Sequence, residues 1–130
     1  TYGLEVKRRS VQIKQSEAEL KRLKQELVNL QSRVKIAKSD ATLAENEYLR
    51  LKKLIQRNVI AQSQLDKSEQ AYLASLERLQ ALENQMALIA PQKEQLIAAR
   101  DMAEVMYEQA KLDLERKRTS KSTGYQRAHY

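Results

Sequence analysis

The stretch LKRLKQELVNLQSRVKIAKSDATLAENEYLRLKKLI, residues 20–55, decides the fold. Leu20, Leu23, Leu27, Leu30, Val34, Ala37, Ala41, Ala44, Tyr48, Leu51 and Ile55 recur at alternating spacings of three and four, and each is apolar or Tyr. A stripe with that period, about 3.5 residues, winds slowly around a straight helix. Burying it requires a partner helix and a left-handed supercoil. With Leu20 as heptad position a, the stripe extends back through Ser16 (d), Ile13 (a), Arg9 (d) and Val6 (a). No Gly or Pro interrupts the run, and the exposed positions carry Glu, Lys, Gln and Arg, which favour helix. The pattern predicts a first helix over about residues 4–57.

A second stripe supplies the partner. Leu65 (a), Ser68 (d), Tyr72, Ser75, Leu79, Leu82, Met86, Ile89, Lys93, Leu96, Arg100, Ala103, Tyr107, Ala110 and Leu114 keep the same alternation and predict a second helix over about residues 63–118. This stripe is weaker, because Lys93 and Arg100 fall on it and must snorkel their charged heads to water. Pro91 removes one backbone hydrogen bond and is expected to kink the helix, so residues 91–100 form the softest part of the arm. In an antiparallel pair a faces d′. Folding at residues 58–62 then sets Ala44 opposite Leu79, Ala41 opposite Leu82, Ala37 opposite Met86 and Leu51 opposite Tyr72. Small residues on one arm thus meet large ones on the other, as close packing requires. The fold class is all-α: a long two-helix antiparallel coiled-coil hairpin.

The turn carries its own signals. Asn58 tolerates the left-handed backbone that ends a helix. Ser63, followed three residues later by Asp66, is the expected N-cap of the second helix. Val59 and Ile60 are apolar where a solvated loop would be polar, so they either plug the end of the seam or touch a partner.

Composition agrees with a long helix and leaves no room for a sizeable core. The 130 residues include two Gly, one Pro, no Phe, no Trp and no Cys, with 32% charged. The net charge of +7 concentrates in Lys7, Arg8, Arg9 and Lys14 near the start, and in Arg116, Lys117, Arg118, Lys121 and Arg127 near the end. A hairpin brings these clusters to its open end. There they serve either as helix C-terminal cations with a solvated tail, or as a patch for anionic headgroups or nucleic acid. Residues 1–118 are read as the hairpin, and residues 119–130 as a polar tail, disordered or vector-derived. The opening Thr1-Tyr2-Gly3 and the bare hairpin suggest a segment excised from a longer protein.

Chemistry-bearing constellations are sparse. His129 is the only histidine and lies in the tail, and no glycine-rich phosphate loop occurs. The carboxylates fall at helical ion-pair spacings, such as Glu17 with Lys21 and Asp113 with Lys117. Acid–base catalysis needs a cleft, which two helices do not make. The expectation is no enzyme, no metal and no cofactor. Tyr48, Tyr72 and Tyr107 sit on the seams as space-filling rings rather than as a base-stacking platform.

The run from Tyr48 to Asp66, YLRLKKLIQRNVIAQSQLD, resembles the hairpin tip of periplasmic adaptor subunits. These are the HlyD-type membrane fusion proteins of tripartite efflux pumps and type I secretion systems. The family's tip motif is an Arg, a Leu four residues on and a Ser seven further. Arg50 and Leu54 match it; Ala61 stands where the family has Ser, with Ser63 two residues beyond. Ala110 to Arg116 also looks like the family's exit from its second helix, although the polar tail replaces the expected lipoyl-like strand. The resemblance implies a periplasmic location, with the parent protein anchored at the inner membrane. It implies self-association into a ring, an inner-membrane transporter engaged through domains outside this segment, and a TolC-like outer-membrane duct as the partner of the tip. It assigns Arg50, Leu54 and Ala61 to that contact; the turn residues Asn58, Val59, Ile60 and Ser63 complete the candidate tip surface, with no nucleic acid involved. Two other readings fit the residues: a basic antiparallel arm that binds nucleic acid, and a plain parallel dimerising rod.

Overall fold

The computed structural model describes the backbone of residues 2–128 and the side chains of residues 2–119. The fold is an all-α helical hairpin, with no strand among the described residues. Helix α1 spans Tyr2–Gln56, α2 spans Gln62–Ala87 and α3 spans Ile89–Ala128. Two compact units divide the chain: residues 24–90, and residues 1–23 with 91–130.

The first of these is the turn unit, built from the later part of α1 and from α2. Its core holds Leu30, Val34, Ala37 and Ala41 on α1, Leu82 on α2, and Ile89. Alanines at two consecutive seam positions let the backbones approach closely, and Leu82 supplies volume from the other arm. Ser75 is also buried, and its hydroxyl donates to the Tyr72 carbonyl at 2.6 Å, so it brings no unpaired polar group into the seam. The rings of Tyr48 and Tyr72 stack across the arms, with centroids 6.1 Å apart and planes inclined by 22°. Tyr72 thus meets the aromatic ring one turn before its expected neighbour Leu51.

The second unit pairs the start of α1 with α3. Leu23, Ala103 and Ala110 are buried there, with Val6, Ile13, Ser16, Leu96, Tyr107 and Leu114 half-buried. Across the arms, the Lys117 ammonium lies 4.6 Å from the centroid of the Tyr2 ring. Lys117 was expected to reach Asp113; it covers an aromatic face instead. The two arginines on the seams are handled differently. Arg9 is closed off by its own helix, with its guanidinium 2.9 Å from the Glu5 carboxylate and 3.0 Å from the Gln12 amide oxygen. Arg100 reaches Asp101 at 3.5 Å and Glu104 at 3.9 Å, while its Nε is buried without a hydrogen bond.

Every predicted seam position of α1 from Val6 to Ile55 is buried or half-buried. The second stripe holds as well, with one correction: Lys93 is exposed. Lys93 lies in the first turns of α3 and is exposed rather than on the buried seam.

Pro91 explains where the second arm is interrupted. An unbroken helix would drive its ring into the Ala87 carbonyl. The helix instead breaks at Leu88, whose backbone keeps φ −78° and ψ −16° and whose N–H bonds back three residues to Gln85 at 3.2 Å. Pro91 then falls in the first turn of α3, where its missing N–H deprives no carbonyl of a partner.

The expected helix end at Arg118 is also corrected, because the backbone stays helical to Ala128. Residues 119–128 contain no proline, and Ser and Thr lower helix propensity without terminating a helix already started. Residues 129–130 of the expected tail, His129 among them, lie outside the described residues.

Candidate docking tip

All seven tip residues lie in the turn unit. The end of α1 is closed by two backbone hydrogen bonds. The Asn58 N–H donates to the Ile55 carbonyl at 3.0 Å, and the Val59 N–H donates to the Leu54 carbonyl at 3.1 Å. These are the two bonds of a Schellman motif with Asn58 in the left-handed position, and Asn58 has φ 57°. Asn is one of the few residues other than Gly that adopts this conformation readily. The Leu54 carbonyl also accepts from the Arg57 N–H at 3.1 Å. Leu54 therefore holds the turn through its backbone, while its side chain remains half-buried.

The expected N-cap is corrected. Ala61, not Ser63, occupies the cap position, with an extended backbone at φ −80° and ψ 149°. A methyl group cannot accept a hydrogen bond, so the reciprocal capping box is only half made. The Gln64 side-chain oxygen accepts from the Ala61 N–H at 3.2 Å, and the Ala61 carbonyl accepts the Gln64 N–H at 3.1 Å. Ser63 is the second residue of α2 and is exposed. Asp66 is drawn to Gln62, whose side-chain amide donates to it at 3.0 Å. The signal for this start was Gln64 three residues after Ala61, a glutamine at the capping-box position, and it outweighed the hydroxyl of Ser63.

Val59 and Ile60 differ in burial. Ile60 is half-buried, whereas Val59 is 65% exposed. Asn58 and Ala61 flank them and are exposed.

Arg50 stands one helical turn before Leu54 on α1 and is exposed. Its guanidinium grips Glu47 with two bonds, Nη2 to Oε1 at 2.6 Å and Nε to Oε2 at 3.0 Å. Hydrogen bonding from Arg50 holds the Glu47 carboxyl below its ordinary value, outweighing desolvation, with the Arg50 charge as a lesser contribution in the same direction. The same hydrogen bonds and charge raise Arg50 above an already high value. Both groups are exposed, so this pair orients Arg50 rather than stabilising the fold. Sequence reasoning missed Glu47, although an acid three residues before an Arg on a helix is a readable pairing. The Lys52 ammonium lies 5.8 Å from the Tyr48 ring centroid, on a different face of α1 from Arg50.

The tip therefore offers a short, hydrogen-bonded turn with one exposed aliphatic side chain, and an oriented guanidinium about a turn and a half back along α1 from the helix end. Comparison with family models, curated proteins and solved structures returns no match for this chain.

Proposed function

We propose that the chain is the coiled-coil hairpin of a periplasmic adaptor, whose tip docks on the helical end of a TolC-like outer-membrane duct. The parent protein is anchored at the inner membrane, engages a transporter there through its other domains, and assembles as a ring. The observation that carries this reading is the tip itself. A Schellman turn fixes Leu54 and exposes Val59, while Glu47 orients Arg50 on the same stretch of α1. A solvated loop with no partner has no need of Val59 in water or of a pre-oriented guanidinium. An aliphatic group beside an Arg suits a small contact that depends on shape. Each such contact is weak alone, and a ring of tips gains through multivalency. No catalytic step and no cofactor belong to this reading, and none of the tip residues is assigned to nucleic acid.

The test is Arg50→Asp in the full-length parent protein, read as substrate export by the assembled pump. Loss of export with helicity and expression unchanged is the expected result. Export at the wild-type level would overturn Arg50 as a duct contact. Mutation of Val59 to Ser provides a second probe of the same surface, because it removes the exposed aliphatic group without touching the Schellman hydrogen bonds.

A further inference from the structure

The unit built from residues 1–23 and 91–130 carries two surface rows that its own pairing leaves unused. With Val6 at a, Lys7, Lys14 and Lys21 occupy successive b positions of α1, and Leu4, Val11 and Ala18 occupy successive f positions beside them. All six are exposed, Leu4 at 67% and Val11 at 47%. On α3, with Arg100 at a, the b row reads Glu94, Asp101, Glu108 and Glu115. The f row beside it reads Ala98, Val105 and Leu112, with Val105 67% and Leu112 51% exposed. Each helix thus repeats the same outer pattern, an apolar row bordered by a charged one. The sign is basic on α1 and acidic on α3. The three lysines and Glu94, Glu108 and Glu115 make no ion pair among the described residues; only Asp101 is engaged, by Arg100.

We propose that these rows are the two halves of one interface, and that its occupant is a second copy of this chain. The outer face of α1 on one copy packs against the outer face of α3 on the next. Set antiparallel, Val11 meets Val105, with Leu4 near Leu112 and Ala18 near Ala98. In the same register Lys7 falls beside Glu108, Lys14 beside Asp101 and Lys21 beside Glu94. The shared heptad spacing brings both rows together in the same alignment.

Charge also selects the arrangement. A two-fold pairing brings like rows together, lysine on lysine at α1 or carboxylate on carboxylate at α3. Only α1 against a neighbour's α3 joins opposite signs. Since α1 and α3 are antiparallel within one copy, copies joined this way point in the same direction. The contact uses different surfaces on its two sides, so it repeats from copy to copy and closes into a ring or continues as a filament. It deepens the ring assembly proposed above by naming its surfaces. It stands on none of the tip residues, so either assignment can fail while the other holds.

The chain has no cysteine, which makes cross-linking clean. The 130-residue chain is prepared as Val11→Cys and, separately, as Val105→Cys, and the two are mixed at low ionic strength under mild oxidation. The mixed disulfide is expected to exceed either same-site disulfide by roughly tenfold and to weaken as salt rises. Lys7→Glu with Lys21→Glu on the first chain should lower it by about the same factor. Adding Glu94→Lys and Glu108→Lys on the second chain should restore it. Circular dichroism on each variant confirms that the helices persist. Same-site disulfides as abundant as the mixed one would overturn the proposal. So would failure of the reversed charges to restore cross-linking in folded chains. Arg50→Asp should leave the cross-linking unchanged, which separates this interface from the tip.

Discussion

Asn58 is the single backbone position at which one substitution should report on the whole turn. Its φ of 57° lies in the left-handed region, where the Cβ of an ordinary L-residue crowds the following carbonyl at about 1–2 kcal/mol. Asn lowers that penalty through local hydrogen bonding by its short side chain. Asn58→Ala should therefore destabilise the chain by about 1 kcal/mol, and Asn58→Val, which adds β-branching, by about 2 kcal/mol or more. Asn58→Gly should be nearly neutral. Removing the Cβ relieves the crowding, and the greater freedom of an unfolded glycine offsets it by about 0.5–1 kcal/mol. At stake are the bonds from Asn58 N–H to Ile55 and from Val59 N–H to Leu54, which close α1 only while residue 58 is left-handed. Urea unfolding followed by circular dichroism gives the free energies, and thermal unfolding gives a shift of about 3–5 °C per kcal/mol for a chain of this size. The expected order of stability is Gly close to Asn, then Ala, then Val. If Asn58→Val unfolds at the same urea concentration as the parent, the left-handed turn is not how α1 ends.

The remaining predictions concern side chains. Glu47 should titrate at a lower pH than an ordinary glutamate, and Arg50→Gln should return it to the ordinary range, as read by side-chain NMR; identical titrations in both chains would refute the pairing. A depressed carboxylate contributes stability above its unfolded pKa and loses it as pH falls through the folded value, so any effect of this pair appears only on acidification and fades with salt. A double-mutant cycle with Tyr48→Leu and Tyr72→Leu should give a coupling of about 0.5–1.5 kcal/mol by urea unfolding, and strict additivity would rule out a contributing stack. Leu30→Ala should cost about 2–5 kcal/mol, because Leu30 is only 4% exposed, whereas Leu43→Ala, at 68% exposure, should change stability by less than about 0.5 kcal/mol. Pro91→Ala should alter stability far less than the ~3 kcal/mol associated with proline inside a helix, since its position in the first turn of α3 already avoids that penalty; a gain of that full size would show that Pro91 strains the folded chain.

The seams were readable because burial on a helix follows a fixed angular period, and side chains off the stripe cannot reach the partner. That logic placed both arms and the turn to within a few residues. It misplaced the details governed by competition among local hydrogen bonds. At the start of α2 a serine hydroxyl and a glutamine amide both offered themselves to the backbone, and periodicity says nothing about which succeeds. Gln64 reached back to Ala61, moving the cap two residues earlier than Ser63. At the far end the stripe stops at Leu114, but loss of a packing partner does not itself stop a helix. With no proline after Arg118, the hydrogen bonds continue to Ala128. The Arg50–Glu47 pair was legible in spacing, but Arg50 drew attention through the tip motif, which does not include its acid.

The polar residues on the seams show how the hairpin divides its labour. Ser75 is buried and returns its hydroxyl to Tyr72, so its stretch of the turn unit stays closely packed. Arg9, at a d position, and Arg100, at an a position, both lie on the seam of the other unit, where each needs acids or amides from its own helix to tolerate partial burial. Arg100 does so incompletely, since its Nε lacks a hydrogen bond. An arginine in this situation stabilises a two-helix pair less than a leucine would. Local opening should therefore begin in the unit of residues 1–23 and 91–130 before the turn unit opens. Packing from a neighbouring copy against α1 and α3 would add apolar contact to this weaker unit. The proposed interface thus lies on the unit whose own seam is least complete, while the tip rests on the better-packed one.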